Sequence, residues 1–178
     1  MTYTTSSVYG PAVIDSINKF YGNKFEIGQT VRNNFCDVKS KFLKEIATKF
    51  DNDYFDPKTK TIIKAESAVD LLRRKLSEAN NESVSLVCIG QLNNMSDLLD
   101  SKPDCYSPLD GVSLVREKVK EFIIMGGLFP KDDKPILFEN YEYKAEYNIV
   151  SALDCSRNFI KKCPTKVFFV DFLCGNKV

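Results

Sequence analysis

The residues best suited to chemistry lie in the second half of the chain. Glu146 and Asn148 flank Tyr147 and pair a carboxylate with an amide, both able to hydrogen-bond a polar ligand. Standing alone, Glu146 reads as a solvated loop acid and Tyr147 as a core or rim aromatic. Met125-Gly126-Gly127 closes one apolar run, and Gly90-Gln91-Leu92-Asn93-Asn94 follows another. Glycine at such ends lets a ligand approach the backbone closely. Met125 suits a packed core as well as a pocket wall. Asp51, Asp53 and Asp56 cluster by spacing, but in polar surroundings that read as solvated loop. The sequence holds no histidine, which excludes an imidazole base supplied by this chain. Its six cysteines, Cys36, Cys88, Cys105, Cys155, Cys163 and Cys174, form no C-x-x-C pair, so zinc lacks both thiol pairs and imidazole. They read as small buried or half-buried thiols of a reducing compartment rather than as disulfides.

The elements that position these residues follow from periodicity. Pro11–Tyr21 predicts a helix with Val13, Ile14, Ile17, Phe20 and Tyr21 on one face and Gly22 as its stop. A second helix is expected over Asp37–Phe50, capped by Asp37 and striped by Phe42, Leu43, Ile46 and Phe50. Asp51–Thr61 reads as a surface loop. Ala65–Ala79 repeats Ala68, Val69, Leu72 and Leu76 at helical spacing, with Arg73, Arg74 and Lys75 placed on the wet side. From Ser83 the period changes. Ser83–Ile89, Glu121–Met125 and Lys166–Val170 read as buried strands, separated by helices over Leu92–Leu99, Val112–Val119 and Ser151–Lys161. Ser101–Gly111 reads as loop, and Leu128–Tyr143 as an irregular excursion.

Strand, helix, strand, helix, strand predicts an α/β fold with a mostly parallel sheet flanked by helices and right-handed crossovers. Ligands of such sheets bind beyond the carboxyl ends of the strands, which puts Gly90–Asn94 and Gly126-Gly127 on one functional edge. No repeat or domain boundary shows, so residues 1–178 are expected to form one domain. The charges nearly cancel, 25 basic against 24 acidic, and a net charge of +1 gives no reason to expect a nucleic-acid partner. No apolar run reaches the roughly 20 residues of a membrane span, and Met1–Ser7 carries no secretory signal. A cytoplasmic protein without a membrane partner is expected.

Several of these segments resemble the inosine/uridine-preferring nucleoside hydrolase family. Val87-Cys88-Ile89-Gly90-Gln91-Leu92-Asn93-Asn94 is similar to its strand ending in Gly, any residue, Leu, Thr, Asn. Ile123–Gly127 is similar to its Met-Gly-Gly strand end, and Ala145–Ile149 to its Glu-aromatic-Asn segment. Asp100–Gly111, Cys163–Thr165 through Gly175–Val178, and Tyr21-Gly22 followed by Ile27-Gly28 also look like one branch of the family. These motifs keep the family's order, and the resemblance covers most of the chain, most weakly over Asp37–Lys60.

The resemblance implies a nucleoside-hydrolase-like, Rossmann-like sheet, incomplete in this chain. It implies a family reaction in which the N-glycosidic bond of a ribonucleoside is hydrolysed with the help of calcium, which holds ribose hydroxyls and a water. Glu146 and Asn148 match positions that hydrogen-bond ribose, Tyr147 an aromatic position near the sugar, and Met125 a pocket-lining residue. Asn93 matches a position whose backbone carbonyl binds the metal. The family's Asp-x-Asp-x-x-x-Asp-Asp motif is absent, and Ala152 and Leu153 stand where the family has Asp and Pro. No catalytic residue is therefore assigned, and this chain alone is expected neither to bind calcium nor to hydrolyse nucleosides. An enzyme fragment is the leading expectation. A non-catalytic nucleoside-, ribose- or protein-binding module derived from the family, and an unrelated α/β domain, stay open beside it. Uncovered sheet edges and apolar helix faces would also promote a homo-oligomer.

Overall fold

A computed structural model of the chain describes residues 1–33, 40–129, 136–138, 141–143 and 145–175. It is a mixed α/β structure with parallel sheets flanked by helices. Where the sequence predicts one domain, the contacts gather into two compact units, Met1–Lys75 and Leu76–Val178.

In the first unit, β1 (Thr2–Tyr3), α1 (Gly10–Phe20), β2 (Gly28–Gln29), α2 (Lys41–Lys49), the hairpin β3 (Phe55–Asp56) and β4 (Thr61–Ile62), and β5 (Glu66–Ser67) follow in order. The strands β1, β2 and β5 pair in parallel in that order. Two residues per strand are too few to show alternation, so this sheet leaves no periodic trace. Ala12, Val13, Ala47 and Phe55 form the core of the unit, with Leu43 and Ile46 packed against it. Helix α1 spans nearly the expected residues but buries a different face. Ile17, Phe20 and Tyr21 are exposed, while Ser16 and Asn18 are buried. Those two polar side chains bond inward, Ser16 Oγ to the carbonyl of Ala12 at 3.0 Å and Asn18 Nδ2 to that of Phe25 at 3.3 Å. Phe42 and Phe50 likewise face outward. The expected cap Asp37 lies outside the described residues.

Helix α3 (Ala68–Glu78) crosses from one unit into the next. Its inward stripe is Ala68, Leu71, Leu72 and Leu76, and Arg73, expected in solvent, is 1% exposed. A stripe of one hundred degrees or more leaves room beside the leucines for a long side chain, which composition alone places outside.

The second unit holds β6 (Val84–Cys88), α4 (Asn93–Asp100), α5 (Gly111–Lys118), β7 (Val119–Met125), the hairpin β8 (Ile136–Phe138) and β9 (Tyr141–Tyr143), α6 (Tyr147–Val150), α7 (Leu153–Lys162), β10 (Lys166–Val170) and α8 (Phe172–Gly175). The predicted strands and helices fall here within a few residues of their observed bounds, and β10 matches its range. The excursion Leu128–Tyr143 contains the hairpin. The sheet runs β10-β7-β6, all parallel, with Leu86 beside Phe122 and Phe168 beside Ile123. Phe122 and Ile124 are fully buried on one face, where the ring of Phe159 on α7 meets Phe122 edge-on at 5.0 Å. Helices α4 and α7 are tied by Asn158 Nδ2, which donates to Ser96 Oγ at 2.8 Å and to Asp100 at 3.0 Å. Asp110 caps α5 by accepting from the amide of Ser113 at 2.8 Å. No helix among the described residues is long and apolar enough to cross a membrane.

Candidate functional site

The carboxyl ends of β7 and β10 meet the turn that leads into α6. Strand β7 ends at Met125, and the amide of Gly126 continues the ladder to the carbonyl of Val170 at 3.1 Å. Gly127 then takes φ +87°, a left-handed conformation, and a side chain there would run into the ring of Phe129.

Glu146 sits in extended backbone at the start of α6 as its N-cap. Its Oε1 accepts from the amide of Asn148 at 2.9 Å. Its Oε2 accepts from the amides of Ile149 at 3.1 Å and Gly127 at 3.2 Å. The residue is 7% exposed, so it is not the solvated loop acid that its type alone suggests. One carboxylate thus satisfies orphan amides of a helix start and of the glycine turn together. Asn148 Nδ2 reaches back to the carbonyl of Met125 and to its sulfur, both at 3.2 Å. Glu146, Asn148 and Met125 are therefore brought together, across about twenty residues of chain. Tyr147 shares the same turn but is 56% exposed. Asn93 stands at the start of α4, beyond the end of the neighbouring β6, and is fully buried.

Sequence reasoning passed over Asp171. It follows β10 directly, and its Oδ2 accepts from the amide of Phe129 at 3.2 Å, while the amide of Phe172 donates to the carbonyl of Gly127 at 3.3 Å. Its signal was available: an acid at the carboxyl end of a predicted parallel strand belongs to the ligand edge.

The chemistry of the cluster is that of hydrogen-bond acceptors. A carboxylate offers roughly four acceptor positions, of which the three amides use three, leaving one for a ligand hydroxyl. The donor set does not fit calcium, which takes about six to eight oxygens, largely anionic in tight sites. Glu146 is occupied by amides, and Asn93 lies in the first turn of a helix, where geometry directs its carbonyl along the axis. Among the described residues, no three acidic or thiol side chains stand together as a metal group. Asp51 and Asp53, at 3.3 and 2.6 Å, hold Lys19 between them, and Asp15 lies 3.9 Å from the same ammonium. Asp51 and Asp53 are solvent-exposed, as expected, whereas Asp15 on α1 is largely covered. Asp56 instead orders its turn by accepting from the amide of Lys58 at 2.8 Å and the hydroxyl of Thr59 at 2.8 Å.

In comparisons with known proteins, no family model matches the chain and no curated protein matches it. What the structure defines is the class: a mixed α/β protein with parallel sheets, whose conspicuous polar cluster lies at a strand edge.

Proposed function

We propose that the chain is a nucleoside hydrolase-like protein whose strand edge carries the ribose-contacting part of such a site, and that it does not cleave nucleosides alone. The observation that supports this is the joining of Glu146, Asn148 and Met125 by hydrogen bonds at the strand edge. Two neighbouring acceptors suit the vicinal hydroxyls of a ribose. Tyr147, exposed beside them, offers a ring face to the sugar or base. Orientation of this kind binds a sugar, whereas the activated water of the family reaction belongs to the Asp-x-Asp-x-x-x-Asp-Asp motif, which residues 1–178 do not contain. Titration of the full chain with ribose, inosine and uridine, followed by NMR, tests the reading. Saturable binding in the millimolar range, shared by all three and weakened at least fivefold in Asn148→Leu, is the expected result. Absence of saturable binding by any of them defeats it. Ribose release at an enzyme-like rate on adding calcium and inosine defeats the claim of inactivity.

A further inference from the structure

The turn that closes β7 holds one aromatic ring in the open. A Cβ at Gly127 would lie 2.6 Å from the edge of the Phe129 ring, so the ring occupies space that only glycine leaves. The same ring leans on Phe169 of β10, with centroids 5.9 Å apart and planes at 60°. Hydrogen bonds fix the backbone around it. The Phe129 amide donates to Asp171 Oδ2 at 3.2 Å, and the Phe172 amide donates to the carbonyl of Gly127 at 3.3 Å. Phe129 nevertheless stays 55% exposed. A single exposed apolar side chain is ordinary on a protein surface. This one is packed against a glycine and a strand end and tethered to a carboxylate, so it is in place before any ligand arrives. Binding to a ring already fixed avoids the ordering cost that a loose one would bring.

Gly127 also joins this ring to the polar cluster. Its amide donates to Glu146 Oε2 at 3.2 Å, while its Cα abuts the ring. With bonds of ordinary length between them, the carboxylate oxygen and the ring edge lie within about 9 Å of each other. A nucleoside carries its base and its vicinal hydroxyls on neighbouring carbons of one five-membered ring, and so reaches across a gap of that size. We infer that Phe129 is the platform on which a heterocyclic base stacks, so that this edge selects aromatic N-glycosides over plain sugars. The inference rests on the ribose-contacting reading of Glu146 and Asn148. Every base has a π-face, so stacking on a phenyl ring favours nucleosides as a class without choosing among bases. Tyr147 is as exposed as Phe129 but lacks its support. Among the described residues its ring meets no other aromatic ring.

The test is an NMR titration of the full chain with inosine, uridine, ribose and methyl β-riboside, the last a riboside without an aromatic aglycone. Both nucleosides are expected to bind about fivefold or more tighter than either sugar. Their base protons are expected to show intermolecular NOEs to the Phe129 ring. Phe129→Leu keeps an apolar side chain against Phe169 and removes the π-face, and should bring the nucleosides to within about twofold of the sugars. Phe129→Tyr, which restores a ring, should keep the preference. If Phe129→Leu loses the folded circular dichroism spectrum, the wild-type NOEs and affinity ratio decide alone. Saturable binding of all four ligands with equal affinity overturns this inference and leaves the ribose reading standing. So does a preference that survives Phe129→Leu, or base NOEs to Tyr147 instead. Nucleoside binding lost in Phe129→Leu but intact in Asn148→Leu defeats the ribose reading and keeps the platform. Absence of binding by every ligand overturns both.

Discussion

The Glu146 carboxylate and the Gly127 amide, separated by most of the excursion that follows β7, are joined by a hydrogen bond of 3.2 Å. The same carboxylate caps α6, so a single side chain fastens the glycine turn to the helix that carries Asn148. Charged acceptors of backbone amides are stronger than neutral ones, and this one is buried. Glu146→Ala leaves the amides of Gly127, Asn148 and Ile149 without that acceptor. It is expected to lower unfolding free energy by about 2–3 kcal/mol, and Glu146→Gln by clearly less, because the amide oxygen keeps part of the cap. Urea denaturation of the two variants measures the difference. Equal losses would show that the negative charge, and not the acceptor, carries the effect.

Arg73 and Arg74 are neighbours on α3 with different surroundings. Arg73 is 1% exposed, whereas Arg74 reaches Glu26 and Glu66, each at 2.9 Å, from a partly open position. Removing a buried, partnered cation strands its partners and leaves a void. Arg73→Ala is expected to cost about 3 kcal/mol or more. Arg74→Ala should cost less and lose its effect in 0.5 M salt, where exposed pairs are screened. Thermal melts of both variants at low and high salt check the contrast. A salt-sensitive Arg73→Ala alongside a salt-insensitive Arg74→Ala would reverse the assignment.

How much was legible follows from what periodicity can carry. The three long strands of the second unit announce themselves by β-branched and aromatic runs bounded by glycine, proline or polar residues, and Lys166–Val170 is read to the residue. The edge bearing Met125, Glu146 and Asn148 was legible as a set of motifs, but its hydrogen bonds were not. Nothing in a sequence states that one carboxylate will accept three amides. The first unit was harder. Its paired strands are two residues long, and burial of Ser16 and Asn18 depends on inward hydrogen bonds that compensate their polarity. Counting apolar residues therefore turned α1 the wrong way, toward Ile17, Phe20 and Tyr21. Division into two units depends on contacts between distant residues, which local pattern does not contain.

Gly111 opens α5 at a close approach. A Cβ there would collide with the carbonyl of Leu98, and its amide donates to the carbonyl of Ser101 at 2.9 Å. The obstacle is backbone at the end of α4, which cannot swing aside as a long side chain would. Gly111→Ala is expected to destabilise by about 2–3 kcal/mol, the range for overpacking against rigid neighbours. Ser113→Ala, two residues on, keeps the amide that Asp110 accepts from and loses only the hydroxyl contact, so it should cost about 1 kcal/mol or less. Chemical denaturation of the pair checks this. A neutral Gly111→Ala would mean that α4 and α5 can separate without loss.

The thiols differ in how readily they should react. Burial pushes the Cys88 thiol up to about 12, and nearby Cys163 adds to the rise. Cys105 and Cys174 are exposed, and Cys155 is buried. Only the thiolate is a nucleophile, so at pH 8 the half-buried Cys88 stays protonated. Iodoacetamide followed by peptide mass analysis is expected to modify Cys105 and Cys174 at least tenfold faster than Cys88 and Cys155. The shift also has a stability consequence. The folded chain holds the Cys88 proton up to about 12, whereas the unfolded chain loses it from the ordinary value of 9.0 upward. The unfolded state therefore binds fewer protons across that window, and this thiol's contribution, fully present below pH 9, is lost as pH rises toward 12. Cys88→Ala should flatten the alkaline fall in unfolding free energy relative to wild type. A variant whose alkaline profile stays as steep would show that Cys88 titrates alike in both states.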